Sequence, residues 1–200
     1  MKHYYNPMSR AVITDWMLKE LDVKHQQIII DFTAEDKHLQ DLRNINPMGK
    51  LPALVDGDAV VTEVAAICAY LADKFPESRL APEIGSVDRA TYYRYLFVAG
   101  NTIEPAFSLS AFAIEHPEPK SVGWGDLARA LATVEAMAPN TDWALGEQFT
   151  AADVVFGGLL SFSMVFNWIE ASPKVAAYVA RIRQRPCYQE SHAAFIEIAG

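Results

Sequence analysis

The spacing of apolar residues changes character near residue 80. Before that point short apolar runs alternate with helical stretches, and after it only a helical period remains. His3-Tyr4-Tyr5 opens a strand, and Ser9 to Leu21 predicts a helix with Val12, Ile13, Trp16, Met17 and Leu21 near one face. A second strand is expected around Gln26 to Ile30, then a polar stretch from Phe32 to Asn46 with a short helix near Leu39 to Leu42. Ala53-Leu54-Val55 and Ala59-Val60-Val61 flank Asp56-Gly57, the strongest hairpin signal in the chain. Ala65, Ala66, Ile67, Tyr70 and Leu71 then give the apolar face of another helix, with Thr62 as its cap and Glu63 in its first turn.

Glu77 to Val87, holding Pro82 and Gly85, reads as a linker. Helices are expected beyond it over Thr91 to Glu115, Trp124 to Met137, Thr150 to Trp168 and Val175 to Arg185, with a last short helix. The economical division is two domains, an α/β domain over 1–79 and an all-helical domain over 86–200. Pro105 falls inside the first long helix and predicts a kink, with the polar Asn101 and Glu104 nearby. Thr150-Ala151-Ala152-Asp153 is a capping box: the hydroxyl takes an orphan N–H and the acid reaches back to the cap residue. Phe149 precedes it as a staple residue, and Ser172-Pro173 starts the next helix by the same local chemistry.

Composition narrows the function classes. The 200 residues are 51% hydrophobic and 21% charged, enough to bury a substantial core. A net charge of −8, from 17 basic and 25 acidic residues, argues against a general nucleic-acid binder, which needs a dense Lys/Arg surface. Cys68 and Cys187 form neither a CxxC nor a metal spacing, so no metal is expected, and the reduced cytoplasm is the default compartment. Met1-Lys2-His3-Tyr4-Tyr5 lacks the apolar run of a signal peptide. The most apolar run, Val154 to Ile169, falls short of the roughly 18–20 residues that span a bilayer and is read as a buried helix.

The richest stretch for chemistry runs from Asn46 to Pro76. In Lys50-Leu51-Pro52-Ala53-Leu54 a proline stands at the mouth of a strand, a position open to it only at a strand start, an edge or a cis turn. A cis bond there turns the backbone of Leu51 outward, where its N–H and C=O can pair with an extended peptide as one more strand. The helix start that follows has free N–H groups and positive potential suited to a carboxylate.

A loop proline, a hairpin and an acidic helix start in that order resemble the glutathione-binding half of the glutathione S-transferase superfamily. The resemblance runs the length of the chain and includes Gly146-Glu147-Gln148-Phe149-Thr150-Ala151-Ala152-Asp153. It implies a thioredoxin-like N-terminal domain, an all-helical C-terminal domain, and glutathione as co-substrate with no further cofactor. Leu51 before Pro52 then pairs with the cysteinyl backbone, and Glu63 and Val64 hold the γ-glutamyl end. Ser or Thr usually stands beside the acid; Val64 offers only its backbone N–H. Lys50 is a solvated side chain or a contact to a ligand carboxylate, and at the second helix Lys37 and His38 are candidates for the glycine end.

Such a protein lowers the pKa of the glutathione thiol, because the thiolate is the nucleophile. The resemblance places a Tyr, Ser or Cys donor between the first strand and first helix, here Tyr4-Tyr5-Asn6-Pro7-Met8-Ser9-Arg10. Cysteine is absent from this window, which disfavours the thiol-transfer branches. Ser9 is the first choice at the helix mouth, Tyr5 is its rival, and Arg10 adds positive potential. Tyr4 and Tyr5 point to opposite strand faces, so both cannot serve. Tyr93, Phe107 and Phe112, with Tyr92 and Phe97, are candidates for an apolar electrophile site, and a homodimer without membrane or nucleic-acid partners is expected by analogy.

The blander readings stand beside these. Ser9 can be a helix cap, the tyrosines strand residues, Glu63 a dipole-favouring acid, and the aromatic residues core. The expected activity is conjugation of glutathione to small apolar electrophiles. The alternatives are a glutathione-dependent isomerase, dehalogenase or disulfide reductase, or a non-catalytic binding module.

Overall fold

Tyr4 has a strand partner on each side, Ile28 in parallel pairing and Ala53 in antiparallel pairing. This places β1 (Lys2–Tyr5) inside a four-stranded mixed sheet of order β2-β1-β3-β4, with β2 at Gln26–Ile29, β3 at Ala53–Asp56 and β4 at Ala59–Thr62. The computed structural model describes residues 1–34, 37–114 and 118–199. The expected helix end at Glu115 lies outside the described residues.

The chain divides into two compact units, Met1–Ser78 together with the stretch from Pro186 onward, and Arg79–Arg185. In the first unit α1 (Ala11–Glu20) follows β1, α2 (Lys37–Ile45) precedes β3, and α3 (Val64–Lys74) follows β4. Alternation along β1 sends its side chains to opposite faces. Tyr4 packs with Ile30, Leu39, Leu42 and Ala53 on the α2 side, whereas His3 bonds Thr14 of α1 on the other. Every residue of α1 from Ala11 to Leu18 is buried, Thr14 and Asp15 included. A helix surrounded on all sides buries its polar positions too; here the sheet, α3 and the last helix enclose it.

That last helix, α9, spans Pro186–Ala199 and so is longer than its apolar pattern predicts. It belongs to the first unit, not to the helical one where the division at 86–200 puts it. The physical reason is the stripe Tyr188, His192 and Phe195, which recurs at helical spacing. Trp16 meets Tyr188 edge-on at 5.2 Å, and Tyr188 stacks on His192 at 3.8 Å.

The β3–β4 hairpin closes as expected. Asp56 pairs with Ala59, leaving Gly57-Asp58 as the loop, and Gly57 takes φ 60°, the left-handed value that a two-residue hairpin needs at its first position. The Asp56 carboxylate accepts from the Tyr70 hydroxyl at 2.7 Å and from the Lys74 ammonium, which ties the hairpin to α3.

In the second unit α4 (Val87–Val98) begins four residues before the expected Thr91, because Ser86 accepts the Arg89 N–H and caps it. Pro105 acts as its chemistry dictates. With no N–H to give, it ends the regular ladder, and Ala99–Ile103 widens into a π turn whose Glu104 N–H reaches the Ala99 carbonyl before α5 (Glu104–Ala111) resumes. Asp126 caps α6 (Leu127–Met137), and α7 (Gly158–Val165) follows a second π turn at Asp153–Gly157. Ser172 caps α8 (Pro173–Arg183) by accepting the Val175 N–H.

The capping box forms as its residue types require. Ala152 N–H donates to the Thr150 hydroxyl and Thr150 N–H to the Asp153 carboxylate. The Phe149 ring lies 5.0 Å from Trp143, with the Arg185 guanidinium 3.6 Å from its centre. Among the described residues no helix is long and apolar enough to cross a membrane.

Candidate functional site

Strand register gathers most of the candidate residues. Tyr4 pairs with Ala53, and Ala53 with Thr62. The pairing ends there, and Tyr5, Pro52 and Glu63 are the next residues of the three segments, followed by Asn6, Leu51 and Val64. The end of β1, the mouth of β3 and the start of α3 therefore meet at one end of the sheet.

The Leu51–Pro52 bond is cis and Leu51 is half-buried. Among the described residues no hydrogen bond engages the N–H or C=O of Leu51. An unpaired main-chain donor and acceptor beside an ordered strand is an edge on which an extended peptide can pair. Two asparagines hold the flanking loops. Asn46 Nδ2 donates to the Lys50 carbonyl at 2.8 Å while its Oδ1 accepts the Met48 N–H. Asn6 Nδ2 donates to the Ile30 carbonyl at 2.8 Å and its Oδ1 accepts the Met8 N–H. Neither was singled out from sequence. The signal was present in the dipeptides Asn6-Pro7 and Asn46-Pro47, because an Asn before Pro favours a turn closed by its own side chain.

Glu63 departs from the expected cap arrangement. Thr62 is the last residue of β4 and not the helix cap, and Glu63 takes the cap position with φ 71° and ψ 131°. A non-glycine residue in that region costs on the order of 1–3 kcal/mol and persists only where the surroundings enforce it. The first helical bond runs from Ile67 N–H to the Glu63 carbonyl, so the N–H groups of Val64, Ala65 and Ala66 precede the ladder and face out with helix-start polarity. The Glu63 side chain is exposed.

The Ser9 hydroxyl donates to the Asn6 carbonyl at 2.8 Å and accepts the Ala11 N–H at 3.2 Å. Arg10, not Ser9, holds the helix cap position, with no side-chain cap bond. Tyr4 and Tyr5 are both buried, on opposite faces. Burial, and then the Asp15 carboxylate, pushes the Tyr5 hydroxyl up to about 12; burial, then Asp41, raises Tyr4. His38 is exposed in the first turn of α2, and Lys50 is exposed beside Leu51. Among the described residues no side-chain hydrogen bond joins either of them to the other candidates.

The aromatic candidates separate by burial. Tyr93 and Phe112 expose their rings, 40% and 68%, whereas Phe107 is fully buried and is a core residue, not a cleft wall. Tyr93 lies under the Arg89 guanidinium at 4.9 Å, and Phe112 meets Trp168 at 6.1 Å. A cavity of about 330 Å³ in the same unit is lined by Ala106, Leu109, Ile114, Trp124 and Leu127, and involves none of the three.

This combination of a mixed βαβαββα sheet domain, an open strand mouth beside a strained helix start, and a helical unit agrees with three independent comparisons. The model of the glutathione S-transferase N-terminal domain matches residues 1–73, and that of the glutathione S-transferase C-terminal domain residues 58–181. The chain belongs to the glutathione S-transferase family and is a glutathione transferase-like enzyme. It is 26% identical to glutathione S-transferase GstA of Escherichia coli O157:H7 over 196 residues, 96% of each chain. Against glutathione S-transferase Z2 of Arabidopsis thaliana it is 26% identical over 183 residues, 87% of this chain and 81% of the plant protein. Among solved structures, the ternary complex of BphK, a bacterial GST, superposes with a TM-score of 0.81 at 28% identity, over 98% of this chain and 99% of that one. A sphingomonad glutathione S-transferase complexed with glutathione gives 0.80 at 27% identity, over 98% of both.

Proposed function

We propose that the unit holding the sheet binds glutathione and that the enzyme adds its thiolate to small apolar electrophiles. The observation that carries this reading is the juxtaposition of Leu51, whose main-chain polar groups have no partner among the described residues, with Glu63, held at φ 71° at the start of α3. Leu51 supplies the donor and acceptor for the cysteinyl backbone. The N–H groups from Val64 onward receive the γ-glutamyl carboxylate, and Glu63 answers its ammonium. Related chains solved with glutathione bound support the ligand.

Ser9 is the thiolate donor in this reading. Tyr5 lies on the α1 face beside the Asp15 carboxylate, a charge that opposes a thiolate nearby. The Ser9 hydroxyl donates to the sulfur by turning its proton away from the Asn6 carbonyl, while the Ala11 N–H continues to hold its oxygen. Arg10 adds positive potential, and Lys50 and His38 are available to the glycine carboxylate. Tyr93 and Phe112 offer apolar surface to the electrophile, and Asn101 or Glu104 a polar contact across a homodimer. The protein works in the cytoplasm, in detoxification.

One observation favours a second reading. The Ser9 hydroxyl is already satisfied on both sides, and Val64 brings no hydroxyl, as in a glutathione-binding module without turnover. Retention on immobilised glutathione tests the binding unit, and conjugation of an aromatic halide separates enzyme from module. Ser9→Ala is expected to lower kcat by about 100- to 1,000-fold and Tyr5→Phe far less, in line with one lost donor at a developing charge. Loss confined to Tyr5→Phe overturns the choice of Ser9.

A further inference from the structure

Behind β1, on the face away from Tyr4, three groups assigned no contact with glutathione converge. They are His3 on β1, Asp15 on α1 and His25 just before β2, and their ligating atoms all lie within 4.8 Å of one another. Their spacing along the chain matches no metal motif. Parallel pairing brings them together: Gln27 lies opposite His3, so His25, two residues earlier, falls diagonally across from His3 on the same face, with ring centres 5.8 Å apart.

The proton on each ring follows from its other contact. The Thr14 hydroxyl donates to the Ala11 carbonyl at 3.0 Å, so its oxygen accepts from His3 Nε2–H at 2.8 Å. In the neutral ring the lone pair of His3 is therefore on Nδ1, which is buried and has no hydrogen-bond partner among the described residues. His25 Nδ1 lies 2.9 Å from the Val23 carbonyl, an acceptor only, so Nδ1 donates and the lone pair of neutral His25 is on Nε2. That Nε2 faces the buried Asp15 carboxylate at 3.8 Å.

Two imidazoles and one carboxylate thus bring ligating atoms within 4.8 Å of one another, and each imidazole has one ring nitrogen held by an outer partner, Thr14 or Val23. Electron pairs facing one another without a proton between them are unfavourable in a buried setting. A protonated His25 answers Asp15 but leaves His3 Nδ1 unmatched. A cation answers all three. We infer that His3 Nδ1, His25 Nε2 and the Asp15 carboxylate form a binding site for a divalent first-row transition ion of the zinc type, clamping β1, α1 and the start of β2. Two imidazoles and one carboxylate suit such ions and disfavour magnesium and calcium, which take oxygen ligands. Bonds of about 2.0–2.2 Å draw the three ligands inward by roughly an ångström from their present spacing. The Gln27 side-chain amide donates to the Asp15 carboxylate at 3.2 Å and so orients it.

The test is titration of the chelator-treated, refolding-competent full chain with ZnCl₂ by calorimetry and with CoCl₂ by visible absorption. The expected result is one ion per chain, a cobalt d–d band of low-symmetry N/O coordination, and no response to MgCl₂. His25→Gln, which changes only a side chain near the surface, and Asp15→Asn are each expected to weaken zinc at least 100-fold. Thr14→Val, which removes the acceptor that orients His3, is expected to weaken it by about 10- to 100-fold. Native circular dichroism of His25→Gln guards against a folding artefact. Absence of a cobalt band in the wild-type protein, or zinc affinity unchanged in His25→Gln, overturns the inference.

Discussion

The Tyr178 hydroxyl donates to the Asp153 carboxylate at 2.8 Å, joining the helix start at Thr150 to a helix 25 residues further on. The same carboxylate accepts the N–H groups of Ala144 and Thr150, so one side chain fixes a loop, a cap and α8. Asp153→Ala leaves three donors unanswered in a buried place. At about 1–3 kcal/mol for each orphaned group, offset in part by relaxation, the expected loss is roughly 3–5 kcal/mol in urea unfolding. Tyr178→Phe is expected to lose only about 1–2 kcal/mol, since the carboxylate keeps two donors.

The same residue sets a pH dependence. Burial pushes the Asp153 carboxyl up to about 6, against the pull of its three donors. An acid whose folded value is raised binds protons more tightly in the native than in the unfolded chain. Its contribution is therefore complete below about pH 4, the unfolded value, and lost as pH rises through about 6. Wild type should thus gain stability relative to Asp153→Asn on going from pH 7 to pH 4.5, by about 2 kcal/mol. An equal difference at the two pH values refutes this.

Gly157 permits a close crossing. A Cβ at this position meets Ile182 Cδ1 at 1.9 Å, so Gly157→Ala must displace the Ile182 side chain. The expected cost is about 1–3 kcal/mol by overpacking. Adding Ile182→Val should recover part of it, a coupling that a double-mutant cycle in urea measures directly.

At Glu63 stability and binding are expected to trade against each other. Glycine adopts φ 71° at no steric cost, so Glu63→Gly should stabilise the free protein by about 1 kcal/mol while lowering retention on immobilised glutathione. Glu63→Gln keeps the strain and removes the charge, and should lose retention without gaining stability. Retention by both variants equal to wild type sinks the assigned role.

Cys68 is fully buried, and burial alone raises its thiol far above the ordinary range. It should resist alkylation in native buffer and react once guanidinium unfolds the chain, as mass spectrometry of labelled peptides will show.

Local chemistry was enough to reveal much of this protein. Gly57 in the hairpin, Pro105 at the helix break, and the caps at Thr150 and Ser172 act through neighbours a few residues away, so the linear order reports them. The proline at 52 and the acidic helix start were readable for the same reason, and with them the family. The Asn-Pro turns that brace the site were written there too. What tertiary structure alone decided depends on contacts between distant segments. Glu63 became strained because β4 runs on through Thr62 before α3 can begin. Phe107 left the list of cleft residues because periodicity marks an apolar face without saying what covers it. The final helix joined the sheet unit because Trp16 receives Tyr188, and His3, Asp15 and His25 met because parallel strand register brings together residues that no sequence spacing relates.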